Sequence, residues 1–503
     1  MRSSLRWYDA IFVLVFFYLL VLQVQAIWPF TIDDMYISLR YARNWASGDG
    51  LLWNLDSPPV EGYSNFSFVA LGALSLVFNG NPIVTLKTAG FIGLVVTCCF
   101  LFLISRFWFT KRESLIPCII LLLYKGQIIW AVSGFETTVY QALICGSVYF
   151  IFRGQGYDLY PGGRGEFRYF NFFIAGMLLA LAGMTRPEAP AFMILFFILI
   201  CWDKPKSSLN RYRKELLYYF VPLVLFYLPY FLWRWHYYGY LFPNSVYCKG
   251  FTAAFLYELD LNYLKLIWPF VILALLAFIK DWDKRYFFLC LPSFAYLIML
   301  RDADPIVAFD NRLFLPAFAL LIPLALKGLD QLNLFLCKKK EPLTLSAFYL
   351  VLFVVLASFM PWMTLAQYRY FSENPVRGEQ LRMSVIQWLN ANARIDDRVV
   401  LSDSGMIPYW SKLHFIDSYC LNNLSMSQYP EQQRYEQFCH QILIQRPEII
   451  ILTSLIKNGQ VLYTPSDACL KVLLDNQSVY KLTNSFVAEN PDSEYRYEMF
   501  TNF

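Results

Sequence analysis

The stretch 28-WPFTIDDMYISLRYARNWASGDG-50 follows directly on an apolar N-terminal run, and how it is read decides how the whole chain is read. It sets two adjacent carboxylates, Asp33 and Asp34, at the threshold of that run, with Arg40 and Arg43 further along. One explanation is local. Thr31 and Asp34 form a capping-box-like pair, and both acids suit the positive end of a helix dipole. The other is functional. A helix running from residue 32 puts Asp33, Tyr36 or Ile37, and Arg40 on one face, and a carboxylate at a membrane boundary is costly unless it faces water or a polar cavity.

The surrounding chain is a membrane protein by composition. Of 503 residues 57% are hydrophobic and 19% aromatic, with only 16% charged, which excludes a soluble protein of this length. Apolar segments fall at roughly 8–28, 88–109, 115–132, 135–152, 170–186, 189–202, 216–233, 263–280, 286–300, 313–327 and 343–363, an expectation of about eleven helices, several short for a bilayer that needs about 20 residues. The first segment reads as a retained helix: its apolar region is long for a signal peptide and no small-residue cleavage site is clear. Phe66 to Phe78 is too short to span and reads as re-entrant or interfacial. Basic residues collect in every second loop: Arg2 and Arg6, Arg106 to Arg112, Arg153 to Arg168, Lys204 to Lys214, Lys280 to Arg285, and Lys338 to Lys340. Those loops are expected in the cytoplasm, with the N-terminus, which places the Asp33 loop and everything after about Thr364 outside. The net charge of +5 is thereby a topology signal, and no nucleic-acid partner is implied.

After Thr364 the composition turns polar. A helical stretch, RGEQLRMSVIQWLNAN, precedes β-like runs RVVLSD, LHFIDSY and RPEIIILTS, so residues 366–503 are expected to form an extracytoplasmic α/β domain behind a transmembrane module of residues 1–365. Most of the eleven cysteines sit in apolar runs as small hydrophobes; Cys420, Cys439 and Cys469 could supply one disulfide there, with the pairing open. Three scattered histidines argue against a histidine-based metal site.

The remaining outside loops carry charge and aromatic groups. WNLDSPPVEGYSNFS holds Asp56, Glu61, Tyr63 and Asn65; SGFETTVY holds Glu136; GMTRPEAP holds Arg186 and Glu188; WRWHYYGYLFPNSVYCKG holds Arg234, His236, Asn244 and Lys249; DADPIVAFDNRLFLP holds Asp310 and Arg312. Each alone reads as an aromatic belt, a cap or a snorkelling arginine. Their common side favours a polar pocket. No nucleotide-binding signature is present, so chemistry there needs a donor activated beforehand and carried by lipid. A polyprenyl-phosphate sugar fits. Cations would neutralise its departing phosphate, and a carboxylate would take the proton of an acceptor hydroxyl. Repulsion between adjacent acids raises the pKa of one of them.

DDMYISLRYARNWASGDGLLWN…PVEGYSN, GFET, TRPEAP and YGYLFPNSVYCK, in this order and followed by LSDSGMIPYWSKLHFID, resemble the GT-C superfamily of polyprenyl-phosphate-dependent glycosyltransferases, with the terminal arabinofuranosyltransferases of mycobacterial walls as similar members. The resemblance spans essentially the whole chain. It implies Asp33 or Asp34 as catalytic base, with Asp33 favoured, and Arg186, Lys249 and Arg312 on the lipid phosphate. Arg40, Glu61, Tyr63, Glu136, Glu188 and Asn244 would shape the sugar and acceptor pocket. It further implies inversion at the anomeric carbon, a glycan or glycolipid acceptor, contact with membrane lipid, and a bacterial plasma-membrane location. Some members use a divalent ion and some none; this chain lacks a DxD, and no metal ligand is assigned. A flippase for lipid-linked sugar would use the same cations without a base, but neither internal repeats nor ionisable residues deep in the spans support one. A non-catalytic envelope scaffold is the other alternative.

Overall fold

The computed structural model describes residues 7–202, 209–249, 256–280, 282–305, 307–336, 358–374, 379–490 and 493–502. Each apolar segment expected through 313–327 falls on a helix or a helix pair, and the chain is a polytopic helical membrane protein. Most of the expected segment 343–363 lies outside the described residues. Among those described, four helices are long and apolar enough to cross a membrane: Pro82–Ser105, Tyr212–Tyr238, Glu258–Ile279 and Arg312–Asn333. The segment at 115–132 is instead two helices, Glu113–Leu123 and Lys125–Val132, bent by 72°. Tyr124 is extended at the break, and the Lys125 N–H it frees donates to Pro361 O at 2.8 Å. Tyr169–Thr185, Ala189–Cys201 and Arg285–Met299 are apolar but only 13–17 residues long. At about 1.5 Å per residue they fall short of a ~30 Å hydrocarbon core. Among the described residues, apolar runs therefore outnumber helices of full spanning length.

The chain divides into two compact units. The first comprises residues Met1–Gln25, Lys87–Trp233 and Ala253–Leu365. Its helices Glu258–Lys280 and Leu315–Leu336 approach so closely that a Cβ on Gly328 would lie 1.6 Å from Leu273 O. Only glycine permits that crossing.

The second unit comprises Ala26–Leu86, Arg234–Thr252 and Ala366–Phe503. Its third segment begins where the composition turns polar, and two earlier stretches fold with it. A six-stranded mixed sheet is built from β1 (Arg398–Leu401), β2 (His414–Asp417), β3 (Ile449–Lys457), β4 (Gln460–Tyr463), β5 (Lys481–Asn490) and β6 (Ser493–Thr501). The order is β2-β1-β3-β6-β5, with β4 on the outer part of β3. β1 pairs in parallel with β2 and β3, and these are the three strands legible in sequence; β4, β5 and β6 pair antiparallel. The expected helix is Glu379–Asn392.

The first polar loop is part of this unit's core. Ile37, Tyr41, Trp53 and Tyr63 are buried with Val400, Leu421, Ile450 and Phe500. Asn54 closes the edge strand β2: its Nδ2 donates to Phe415 O at 2.9 Å and its Oδ1 accepts from Phe415 N at 3.2 Å. Cys420 bonds to Cys248, so the disulfide is not formed among Cys420, Cys439 and Cys469. The reason is packing: Asn244 at the head of the short helix Asn244–Lys249 donates to Cys420 O at 2.8 Å and Leu421 O at 3.0 Å, which brings Cys248 onto Cys420.

Candidate active site

In the second unit the acid pair precedes the helix Met35–Ala46. The expected capping box does not form. Asp34 is the N-cap residue but its side chain accepts no cap hydrogen bond, and the Thr31 hydroxyl donates to Glu379 Oε1, which also accepts from Tyr36 OH at 2.7 Å. Asp33 is held on several sides. Its Oδ2 accepts from Gly405 N at 3.0 Å, its Oδ1 from Met406 N at 2.9 Å, and Arg382 Nε stands 3.0 Å from Oδ1. Arg382 reaches on to Asp403 Oδ2 at 3.1 Å, which also accepts from Tyr495 OH at 3.0 Å and from Tyr497 OH. Burial pushes the Asp33 carboxyl up to about 6 against the pull of Arg382; Asp403 and Asp34 push the same way as burial, and the Met406 N–H opposes them. A Cβ on Gly405 would fall 2.1 Å from Asp33 O and 2.3 Å from Asp33 Oδ2, so the close approach requires glycine.

Asp34 is the more open of the two, 26% exposed against 14% for Asp33, and its nearest cation is Lys249, Nζ to Oδ2 3.7 Å. Lys249 also stands 5.1 Å from the Tyr419 ring centre.

Four further candidates in this unit are tied into scaffolding. Arg40 is buried: Nε donates to Trp53 O at 2.8 Å, Nη2 to Asn54 Oδ1 at 3.0 Å and Leu413 O at 3.2 Å, and Nη1 to Pro408 O, with the guanidinium against the Trp53 and Phe415 rings. The shared face that suggested a pocket role is used to bind loop to sheet. Glu61 accepts from Arg234 Nε on both oxygens, at 2.9 and 2.8 Å, and burial pushes its carboxyl up to about 7 despite that pairing. Tyr63 OH and Tyr238 OH lie 2.9 Å apart, and the Asn244 amide serves the Cys420 loop.

Within the first unit, Glu136, Arg186, Glu188 and Arg312 come together. Glu136 is fully buried and its Oε1 accepts from both arginines, Arg186 Nη1 at 2.6 Å and Arg312 Nη2 at 3.1 Å. Arg186 grips Glu188 through Nε at 3.0 Å and Nη2 at 2.5 Å, and Arg312 Cζ lies 3.8 Å from the Phe135 ring centre. Sequence reasoning missed Arg382, Asp403, Gly405 and Glu379. Asp403 and Gly405 lie inside LSDSG, the one signal that could have found them. Among the described residues no three His, Cys, Asp or Glu side chains group as a metal set.

Residues 366–500 match a family described as a domain of unknown function (DUF8728). No curated protein matches the chain in sequence. Solved structures share its fold across nearly its whole length. ArnT from Cupriavidus metallidurans, bound to undecaprenyl phosphate, aligns over 98% of this chain and 98% of its own at 12% identity, TM-score 0.61. The oligosaccharyltransferase AglB from Archaeoglobus fulgidus, in complex with an inhibitory peptide and a dolichol-phosphate, aligns over 96% of this chain and 80% of its own at 11% identity, TM-score 0.60. The arabinofuranosyltransferase AftD from Mycobacteria aligns over 96% of this chain but 39% of its own at 13% identity, TM-score 0.52. At these identities the likeness is one of fold.

Proposed function

We propose that the protein is a membrane glycosyltransferase that moves a sugar from a polyprenyl-phosphate donor to an extracytoplasmic glycan or glycolipid. The observation that carries this reading is the end-to-end fold shared with ArnT bound to undecaprenyl phosphate; the dolichol-phosphate on AglB points to the same donor chemistry. The acceptor oxygen attacks the anomeric carbon, the bond from that carbon to the phosphate oxygen breaks, and its electron pair leaves with the polyprenyl phosphate. Direct displacement inverts the anomeric centre. The acceptor's proton passes to a carboxylate.

Between the two acids the geometry favours Asp34 as that base. Asp33 already accepts two backbone N–H groups and faces a guanidinium, whereas Asp34 is more exposed and, among the described residues, its ion-pair partner is Lys249, at 3.7 Å. Lys249, which stands beside Asp34 in the same unit, is the cation we assign to the donor phosphate.

The test is glycan and glycolipid analysis of a strain lacking the protein, complemented with wild type, Asp33→Asn or Asp34→Asn, alongside transfer from a labelled lipid-linked sugar in vitro. Asp34→Asn is expected to lower turnover by about 10² or more while donor binding persists. Asp33→Asn, which replaces one of two acceptor oxygens by an amide facing N–H donors, is expected to lower it less. Full transfer by Asp34→Asn would remove the base assignment; an unchanged glycan profile in the deletion strain would remove the glycosyltransferase reading.

A further inference from the structure

We infer that Arg382 and Asp403, from the C-terminal part of the chain, are positioning residues for the acid pair, acting on it through Asp33. The catalytic meaning rests on the reading above; the contacts stand by themselves. Arg382 lies in the first turn of the helix Glu379–Asn392 and is shared between two anions, Asp33 at 3.0 Å and Asp403 at 3.1 Å. Asp403 in turn is fixed by the hydroxyls of Tyr495 and Tyr497 on β6. The same helix holds the acid loop at a second point, where Glu379 accepts from Thr31 and Tyr36. The loop after β1 adds the Gly405 and Met406 N–H groups. Two elements of the C-terminal part, this helix and the loop after β1, thus converge on Thr31, Asp33 and Tyr36, with β6 behind Asp403.

A chain needing only to dock that loop has cheaper means, such as the Asn54 bridge to β2. Burying a cation between two carboxylates costs desolvation and gains little net stability over an apolar contact. What it supplies is a carboxylate held in one rotamer beside Asp34. Arginine is required because its fork reaches two carboxylates at once, which a point-charge ammonium does not.

The experiment uses the full chain purified in detergent, as wild type, Arg382→Gln, Arg382→Lys, Asp403→Asn and Asp33→Asn. The first arm titrates the carboxyl band by infrared difference spectroscopy, with Asp33 assigned by its loss in Asp33→Asn. The groups facing Asp33 are Asp34 and Tyr36 on its own segment, Glu379 and Arg382, Asp403, Tyr495 and Tyr497, with Lys249 beside Asp34. Losing the cation in Arg382→Gln is expected to move the Asp33 titration up by about one pH unit, and losing the anion in Asp403→Asn to move it down. Shifts of opposite sign cannot come from general loosening. The second arm measures transfer: Arg382→Gln is expected to lower kcat about tenfold or more with donor KM within about threefold, and Arg382→Lys to recover part of it. An Asp33 band unmoved by Arg382→Gln and Asp403→Asn, or a wild-type kcat in Arg382→Gln, overturns the inference. Were Arg382→Gln not to fold, Asp403→Asn and Arg382→Lys decide it by the same two readouts. Opposite shifts in a wild-type chain that transfers no sugar would keep the clamp and remove the glycosyltransferase reading instead.

Discussion

Glu61 and Arg234 show how a polar residue in an outside loop can be held in the frame of the protein. Both are buried, and the guanidinium Nε meets both carboxylate oxygens. Removing one partner strands the other, a loss of about 3–5 kcal/mol for a buried pair. Arg234→Gln is therefore expected to unfold at clearly lower temperature. Burial already lifts Glu61 to about 7, from an ordinary 4.5, with the arginine present. Without it the folded-state pKa rises further, so the acid contributes stability below its unfolded pKa that is lost as pH rises through the folded one. The destabilisation should be larger at pH 8 than at pH 6, read by thermal unfolding in detergent; an equal drop at both would show that Glu61 is not stranded as an anion. Gly405 gives a second residue-scale prediction. Because any Cβ there collides with Asp33, Gly405→Ala must displace the acid loop, and transfer should fall about tenfold or more while the Cys248–Cys420 bond still forms. Such roles were half legible. The sequence marked Glu61, Arg40 and Asp33 as unusual, since acids and bases near a membrane need a reason, but it could not say which pair with a partner that arrives 173 or more residues later.

At the scale of elements, helices were legible wherever a long apolar run coincides with one, and strands wherever burial on both faces gives a continuous run, as in β1 and β3. β6 alternates polar with apolar side chains over Glu494–Met499, while β5 mixes polar and apolar residues without alternation, and both carry a weaker signal. The break at Tyr124 was hidden because both halves of 115–132 are apolar. The disulfide was hidden for a different reason: spacing carries no information about a bond that spans 172 residues. That span makes the bond important to the unfolded chain. Closing so long a loop is worth roughly 2–5 kcal/mol, and it ties the short helix Asn244–Lys249, and Lys249 with it, to the Cys420 loop. Reduction, or Cys248→Ser, is expected to lower the unfolding temperature of the protein and to weaken transfer through the Lys249–Asp34 contact. Non-reducing peptide mapping beside calorimetry checks it; a reduced protein with unchanged stability and activity would show the bond to be incidental.

At the scale of the whole molecule, the charge pattern makes a claim that packing alone does not. Basic residues in alternate loops assign those loops, and the N-terminus, to the cytoplasm, and everything after about Thr364 to the opposite side. The proposed chemistry depends on it, because a donor carried by lipid and free of nucleotide is of use only where nucleotide sugars are absent. The domain that matches DUF8728 over residues 366–500 supplies the groups around Asp33, so the proposed reaction requires the acid pair and this domain on the same side of the membrane. Arg164 and Lys412 are exposed and lie in loops assigned to opposite sides. In intact spheroplasts a membrane-impermeant maleimide is expected to label Lys412→Cys at once and Arg164→Cys only after permeabilisation, with the native Cys99 as an exposed control inside an apolar helix. The reverse pattern would put the acid pair in the cytoplasm, where nucleotide sugars are at hand and a lipid-linked donor loses its reason.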